Sequence, residues 1–559
     1  MKTKRSRAKL ILALLLGAGL VLSGCGKEKG EKGETGAAGT SSGNSGSLAY
    51  MTDSPPTTGT QGTVYSYTPT IVNTANDNLS FSLLNQPSWM SVDNSTGVIS
   101  GTPAADVVGT TATNLLYMLK GTQHIYAPPP FSLTVSTLEI IATGIGGGLG
   151  SSHVCALDNS SEKVKCWGLN SSGQLGLGHT NNLGDASGEM GSNLAYIDLG
   201  TARTATAITA GSSHTCVLLD NSEVKCWGNN NYGQLGQGST SNLGDGSGEM
   251  GDNLAAIDLG SGRTATTNFA GQNHTCALLD NSDVKCWGNN NYGQLGQGST
   301  SNLGDGSGEM GDNLAAIDLG SGRSATTISA GYGHTCALLD NSVLKCWGYN
   351  NKGQLGLGHT DNLGNGSSEM GDNLAAIDLG SGRTATDITT GGEHTCALLD
   401  NASVKCWGSG GSGQLGYGNT NNIGDGSGEM GDNLTVVDLG TGRTATAISA
   451  GSSHTCALLD NSAVKCWGWY GFGTLGQGST DNLGDGSGEM GDNLTVVDLG
   501  TGRTATAISV GQYHTCALLD NSAVKCWGWN SSGQLGQGIT SSLGDASGEM
   551  GDNLPAIDL

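Results

Sequence analysis

Fourteen of the fifteen cysteines recur in pairs ten or eleven residues apart, each pair led by a histidine. In a typical copy His214 precedes Cys216, and Cys226 follows ten residues later. Such a set can ligate a metal ion, or its two cysteines can form a disulfide. The pairs are Cys155 with Cys166, Cys216 with Cys226, Cys276 with Cys286, Cys336 with Cys346, Cys396 with Cys406, Cys456 with Cys466, and Cys516 with Cys526.

The position of the turn favours the disulfide. In the later six pairs the midpoint falls on the central residue of an Asp-Asn-Ser type turn. An antiparallel hairpin then places the two cysteines opposite each other, at Cα separations of about 4.5–5.5 Å, which a disulfide can span. The first pair has a longer turn, Asp158–Lys163, so pairing with a different loop stays open there.

Each repeat also carries an acidic loop that could bind calcium. Asp245, Glu249 and Asp252 offer hard oxygen ligands, with Asn253 beside them. The alternative is a solvated turn capped by Asp and Asn side chains. Two repeats serve as a natural control for calcium binding, because they have Ser192 and Asn365 where the other repeats have Asp.

The seven histidines each follow a Gly-x-x turn and open a strand-like run. A catalytic side chain is rarely needed seven times, so we expect these histidines to form hydrogen bonds with neighbouring backbone. No Ser/His/Asp arrangement stands out from the repeats, and no phosphate-binding glycine motif precedes a helix. The sequence therefore does not predict an enzyme. The histidines are His153, His214, His274, His334, His394, His454 and His514.

The stretch His454–Gly468 shows which elements must position these side chains. Its two apolar runs flank an Asp-Asn-Ser turn, which predicts a hairpin. Thr446–Ala450 would add the innermost strand, and segments such as Leu434–Asp438 the outermost. The unit occurs seven times, with a spacing of 61 residues once and 60 five times. Seven such units without helical periodicity predict an all-β fold, a seven-bladed β-propeller.

Several motifs resemble the regulator of chromosome condensation repeat. They are Ala450-Gly451-x-x-His454, Cys466-Trp467-Gly468, and Trp527-Gly528-x-Asn530-x-x-Gly533-Gln534-Leu535-Gly536. The resemblance covers roughly residues 138–559 and implies the same seven-bladed propeller. It does not fix the function, because the family includes exchange factors and enzyme inhibitors. This chain differs from nuclear members in its two cysteines per repeat and its export signal.

The N-terminus predicts export and a lipid anchor. Residues 1–24 combine a basic start with a short apolar run, as in a signal peptide. Leu22-Ser23-Gly24-Cys25 resembles the bacterial lipobox, with Cys25 as the lipidated residue. Residues 25–47 are rich in glycine, serine and charged residues, which predicts a flexible tether. We therefore expect an outer-membrane lipoprotein of a bacterial cell envelope, on its surface or periplasmic side. An ordinary signal peptide with an incidental cysteine is the alternative.

Residues 48–137 predict a separate β-sandwich. The stretch Pro87–Pro103 is similar to immunoglobulin-like or cadherin-like modules of bacterial surface proteins, with Trp89 as a core anchor. The cadherin resemblance would place a calcium site near Asn76, Asp77 and Asn78. Strand-like runs are Val64–Tyr67, Leu79–Leu84, Gly97–Ser100 and Phe131–Val135.

Composition narrows the class of partner. The 559 residues carry 48 acidic against 24 basic side chains, a formal charge of −24. Such a surface repels phosphate backbones, so nucleic-acid binding is not expected. Apart from a possible calcium ion, no cofactor is predicted.

The repeats differ mainly in the loop after Trp-Gly and in the Gly-x-x-His turn, which alternating strands place on one face. There the sixth and seventh repeats concentrate Trp469, Tyr470, Phe472, Tyr513 and Trp529. Aromatic side chains supply much contact area at low entropic cost, so they predict a site for a protein or glycan. The alternative is loop drift with the aromatics folded onto the blade. At the level of function, the alternatives are an inhibitor-like or exchange-factor-like regulator and an envelope scaffold without ligand.

Overall fold

The computed structural model describes two all-β regions. It covers residues 49–51, 55, 58–60, 65–73, 78–101, 111–120, 125–126, 131–136, 151–158, 162–479 and 481–559. The predictions for the signal peptide, Cys25, the tether, Asn76 and Asp77 fall outside these ranges. Within them, no helix has the length and apolar character needed to span a bilayer.

In the described residues of the N-terminal module, ten strands form three sheets. One sheet pairs β1 with β4, a second has the order β2-β10-β8-β5 with β9 added to β8, and a third has the order β3-β7-β6. The strands are β1 Ala49–Met51, β2 Thr58–Thr60, β3 Tyr65–Tyr67, β4 Ile71–Asn73, β5 Ser80–Leu84, β6 Met90–Val92, β7 Ile99–Gly101, β8 Thr111–Lys120, β9 Ile125–Tyr126 and β10 Phe131–Ser136.

The sequence predicts four of the strands in this module, namely β3, β5, β7 and β10. Ile99, Leu115 and Leu119 are fully buried there. Leu115 and Leu119 belong to β8, the longest strand, which the sequence pattern did not reveal. Trp89, expected as a core anchor, is half-buried at the edge of the core, with its ring centroid 6.5 Å from that of Tyr65.

The C-terminal region is built from seven repeat units, numbered here blade 1 to blade 7. Blade 1 shows a two-stranded hairpin in the described residues, and each later blade is a three-stranded antiparallel sheet. The strands are β11 His153–Asp158, β12 Lys163–Gly168, β13 Ala205–Ala210, β14 His214–Leu219, β15 Val224–Gly228, β16 Ala265–Ala270, β17 His274–Leu279, β18 Val284–Gly288, β19 Ala325–Ala330, β20 His334–Leu339, β21 Leu344–Gly348, β22 Ala385–Thr390, β23 His394–Leu399, β24 Val404–Gly408, β25 Ala445–Ala450, β26 His454–Leu459, β27 Val464–Gly468, β28 Ala505–Val510, β29 His514–Leu519 and β30 Val524–Gly528.

The burial of the strands explains their sequences. The middle strand β14 is buried at all six positions, because other strands cover its edges and neighbouring blades cover its faces. The sequence of such a strand is a continuous apolar run and does not alternate between apolar and polar residues. The inner strand β13 instead alternates between partly buried and buried positions after a register shift between Ala205 and Ala207.

The predicted outermost strand is wrong. The segment around Leu434–Asp438 meets its own blade through one backbone hydrogen bond, from Val437 N–H to Val404 O at 2.8 Å. Its carbonyl groups turn to the next blade: Asp438 O accepts from Gly491 N–H, and Leu439 O accepts from the Lys465 ammonium at 3.1 Å. The segment therefore bridges two blades and forms no ladder with its own.

Seven apolar clusters lie between successive blades and hold the ring together. Between blades 1 and 2, Trp227 packs with Leu175 and with the cysteines of blade 1. The equivalent cluster between blades 7 and 1 joins Trp167 to residues of the last repeat. Closure adds hydrogen bonds from Trp167 Nε1 to Gln534 O at 3.1 Å and from Gly191 N–H to Asp558 O at 3.0 Å. The apolar packing of blade 7 on blade 1 is thus the same as between other successive blades.

Candidate binding face

All seven cysteine pairs are disulfides within their own blade. The strand register sets Cys216 directly opposite Cys226, and Cα–Cα distances are 4.0–4.1 Å in every pair. Cys155 pairs with Cys166 despite its longer turn. Since the sulfurs are bonded to each other and lie in the cores between blades, they are not available as metal ligands.

The seven histidines are fully buried and most contact the next blade. His214 Nε2 lies 3.0 Å from Thr275 Oγ1, and the same contact occurs for His153, His274, His334, His394 and His454. The Thr275 hydroxyl donates to the Gln234 carbonyl at 2.8 Å, so His214 must be the donor, protonated at Nε2. The expected bonds to neighbouring backbone are therefore wrong, because the partner is a side chain 61 residues away.

This network joins three elements at six of the seven blade junctions. The Gln234 carbonyl also accepts from Trp287 Nε1 at 3.0 Å, so a loop of blade 2 holds the threonine and the tryptophan of blade 3. Burial lowers the pKa of His214 to about 3, and the neighbouring His153 and His274 contribute. The imidazoles are neutral and structural, and no acid–base role follows from them.

His514 is the exception at the closure of the ring. Its Nε2 has no hydrogen-bond partner. In the repeat pattern its partner would be the residue after His153, and that residue is Val154. The junction between blades 7 and 1 therefore lacks the histidine–threonine contact that the other six junctions have.

Two carboxylates of the acidic loop, those of Glu249 and Asp252, already accept hydrogen bonds from the protein. The Glu249 carboxylate accepts two backbone N–H groups of its own loop at 2.7 and 2.9 Å. Asp252 accepts from Thr201 N–H at 2.8 Å and from the Thr201 hydroxyl. Burial raises the pKa of Asp245, and the Glu249 carboxylate beside it adds to the shift. The structure thus brings Asp245 and Glu249 together and engages Asp252 elsewhere; within the described ranges no group of three such residues could hold a metal ion.

Five of the seven loops after Trp-Gly are anchored by an asparagine in the same way, and blade 5 has Gly410 at this position. In blade 2, Asn230 Oδ1 accepts from Leu235 N–H at 2.9 Å, while its Nδ2 donates to Ser239 O at 2.8 Å. Gln234 Oε1 accepts from Tyr232 N–H at 2.9 Å. The loop begins beside the Gly-x-x-His turn, because Asn229 N–H donates to Ser213 O at 2.7 Å. Turn and loop therefore form one continuous face.

Blade 6 departs from this architecture. Tyr470 and Thr474 replace the anchoring asparagine and glutamine, and the Thr474 hydroxyl donates to Trp469 O at 2.6 Å. Phe472 adopts φ 61°, the left-handed region, whereas the equivalent residues of the other blades do not. A bulky side chain in this region is held there by its surroundings at a cost on the order of 1–3 kcal/mol.

Phe472 lies between the rings of Trp469 and Trp529, and Tyr513 contacts both of these tryptophans. Ring centroids are 5.7 Å apart for Trp469 and Phe472, 5.9 Å for Phe472 and Trp529, 5.8 Å for Trp529 and Tyr513, and 5.0 Å for Tyr513 and Trp469. These four residues, the blade 6–7 cluster, form a closed circuit across the blade junction. Phe472 is 46% exposed and the other three are half-buried.

The fifth predicted residue, Tyr470, lies elsewhere. It occupies the place of the inward-pointing asparagine and packs against the apolar core between blades 6 and 7. The structure therefore brings four of the five aromatics together and assigns Tyr470 to the core side of the loop.

A second aromatic group was missed from the sequence. Tyr292 and Tyr349 have ring centroids 4.2 Å apart, and Tyr332 is 42% exposed. Tyr292 lies over Gly333, where a Cβ atom would come within 2.9 Å of its ring. The fourth residue of one loop thus reaches the first residue of the next, as Phe472 reaches Trp529. Comparing these two positions between consecutive repeats would have found both groups.

Comparison with protein families matches the two regions separately. Residues 148–174, 205–234, 269–294, 325–354, 385–414, 445–474 and 505–534 match the family described as "Regulator of chromosome condensation (RCC1) repeat". Residues 47–136 match the family described as "Putative Ig domain".

Curated relatives share the repeat region. The ultraviolet-B receptor UVR8 of Arabidopsis thaliana is 29% identical over 337 residues, which cover 59% of this chain and 66% of the receptor. The human E3 ubiquitin-protein ligase HERC2 is 25% identical over 433 residues, which cover 76% of this chain and 8% of the ligase. The chain thus spans just under two thirds of the first relative and a small part of the second.

A solved structure supports the fold. Human WBSCR16 aligns with a TM-score of 0.51 at 18% identity, over 70% of this chain and 94% of that protein. At this identity the similarity concerns the fold alone, and it confirms the propeller predicted from the repeats.

Proposed function

This chain is an RCC1-repeat protein, and we propose that it is a non-catalytic binding module that holds a protein partner over blades 6 and 7. The observation that carries this proposal is the blade 6–7 cluster. Six of the seven junctions share the histidine–threonine framework, yet only two bear clustered aromatics on the loop face in the described residues. A ring of near-identical units has no preferred docking point unless its loops supply one.

Three properties of the cluster favour recognition over packing. Phe472 is 46% exposed, although an unliganded loop would gain by burying it. Its left-handed backbone is fixed by Trp469, whose ring lies against Gly471. The four rings therefore form a pre-organised apolar surface, and pre-organisation lowers the entropic cost of binding.

A protein partner suits this surface better than a phosphate-bearing one. The chain has a formal charge of −24, and aromatic residues are enriched at the centres of protein interfaces. The plant receptor and the human ligase show that related repeats occur in regulatory proteins, and the matched region is only a small part of the ligase.

The proposal includes attachment to a bacterial envelope through Cys25. Its support is the lipobox-like Leu22-Ser23-Gly24-Cys25 and the seven disulfides, which persist in oxidising compartments. Palmitate labelling and membrane fractionation of Cys25→Ser test this part. Loss of label and of membrane association is expected, and identical behaviour of wild type and variant would refute the lipid anchor.

Binding is tested by capture from the native envelope. Trp469→Ala/Trp529→Ala should lose the captured partner, while Val436→Ala/Val496→Ala should retain it. The control removes apolar surface that is exposed, at 47% and 50%, but lies outside the cluster. Capture of a glycan instead of a protein, or equal capture by both variants, would refute the proposal.

A further inference from the structure

The second aromatic group includes a carboxylate. Tyr292, Tyr332 and Tyr349 lie at the junction of blades 3 and 4, and Glu393 is the last residue of the Gly-x-x-His turn of blade 5 before His394. Burial raises the pKa of Tyr349 above its ordinary value, and the nearby Glu393, Tyr292 and Tyr332 add to the shift. These four residues, called here the tyrosine site, lie in neighbouring turns and loops of the loop face, and the rings of Tyr292 and Tyr349 are in contact.

Aromatic faces combined with a carboxylate suit a cation. A lysine or arginine gains from the ring quadrupole within about 6 Å of a ring centroid and from the carboxylate charge. This protein already uses such pairing in blade 1, where Lys165 Nζ lies 4.8 Å and Lys163 Nζ 5.3 Å from the Tyr196 ring centroid.

Among the residues that the structure describes, no lysine or arginine forms an ion pair or a cation–π contact at the tyrosine site. The ion pairs among the described residues join arginine or histidine to aspartate, and none includes Glu393. Lys352 lies in the same loop as Tyr349 but forms no ion pair with Glu393. Tyr332 leaves 42% of its surface open to solvent.

We propose that the tyrosine site binds a lysine or arginine side chain from a basic segment of the protein partner. The inference rests on the proposed function and deepens it, because it assigns the partner a chemistry. The formal charge of −24 attracts such a segment over a distance, and the site then gives its cation a defined position. The blade 6–7 cluster lies three blades further round the same face, so a partner that reaches both sites must be extended.

The test uses the octapeptide of lysine as a probe, titrated calorimetrically into the intact protein at about 0.15 M salt, where remote charges are screened. Tyr292→Ala/Tyr349→Ala and Glu393→Gln should each weaken binding at least tenfold. Tyr332→Ala, at an exposed position, should weaken it without affecting the melting temperature. Lys352→Ala should leave binding unchanged or strengthen it.

Two matched controls separate the site from general acidity. Tyr232→Ala removes the equivalent tyrosine of blade 2, whose neighbour in the next loop is Asn289 rather than an aromatic. Glu223→Gln removes one carboxylate from the Asp-Asn-Ser type turn of blade 2, on the other face. Both should bind octalysine like wild type.

Three outcomes would overturn the inference: no measurable binding, unchanged binding by the Tyr292/Tyr349 variant, or equal weakening by Glu223→Gln. Trp469→Ala/Trp529→Ala should bind octalysine normally. A failure here would therefore leave partner capture by blades 6 and 7 untouched, and the two proposals can fail separately.

Discussion

Mild acid should destabilise the propeller strongly, because the buried histidines are neutral. Burial lowers their pKa to about 3 for His153, His214, His334, His394 and His454, and to about 4 for His274 and His514. The unfolded chain has ordinary histidines that titrate near pH 6.5. A pKa lowered by folding contributes stability above about pH 6.5, and this contribution is lost as the pH falls toward 3 to 4.

The size of the loss in unfolding free energy between pH 7 and pH 5 depends mainly on histidine protonation in the unfolded state. At pH 5 an unfolded histidine is almost fully protonated, while the buried one is still neutral. The difference amounts to about 2 kcal/mol per histidine relative to pH 7. Seven histidines then remove on the order of 10 kcal/mol from the free energy of unfolding, comparable to the whole stability of a typical domain. Burial also raises the pKa of Asp185, Asp245 and Asp545, which opposes the loss to a smaller extent.

Urea unfolding between pH 7 and pH 5, followed by the fluorescence of the seven buried tryptophans, measures this loss. The midpoint should fall steeply over these two pH units. His334→Gln should reduce the slope by about 1.4 kcal/mol per pH unit, since one titrating group is removed. His359→Gln is the matched control, because it makes the same substitution at a side chain that is 38% exposed. An unfolding midpoint that is the same at pH 7 and pH 5 would refute the reasoning.

Three further predictions concern the framework. Val154→Thr should stabilise the ring by about 0.5–1.5 kcal/mol, since it supplies the missing hydroxyl for His514; a destabilised variant in urea unfolding would contradict the proposed geometry. Non-reduced peptide mapping should recover Cys216 linked to Cys226 and likewise in every blade, and linkage between blades would count against the structure. Millimolar calcium should leave the melting temperature unchanged, because the loop carboxylates already accept N–H groups; a shift that is smaller in Asp245→Asn would instead support a calcium site.

The sequence predicts what each repeat determines locally. The hairpins, the facing cysteines and the inner strands follow from apolar runs, turn residues and the 60-residue period. The outermost strand could not be predicted, because the carbonyls of Asp438 and Leu439 bond to the next blade. The hydrogen bond between His214 and Thr275 could not be predicted either, because Thr275 belongs to the next blade and is 61 residues away in sequence.

The candidate site was only partly predictable. Four aromatics meet because the fourth loop residue of one blade reaches the first loop residue of the next, a relation that is invisible within one repeat. Tyr470 was misplaced because it replaces an asparagine whose side chain points inward. The tyrosine site was overlooked because the contact between Tyr292 and Tyr349 also joins the loops of two consecutive blades.

The most direct test of the central claim is the affinity of a purified, captured partner for Trp469→Ala/Trp529→Ala. We predict at least tenfold weaker binding with a melting temperature close to that of wild type, because interface aromatics typically contribute about 2 kcal/mol or more each. A lower melting temperature with unchanged affinity would show instead that these rings stabilise the propeller and that the partner binds elsewhere.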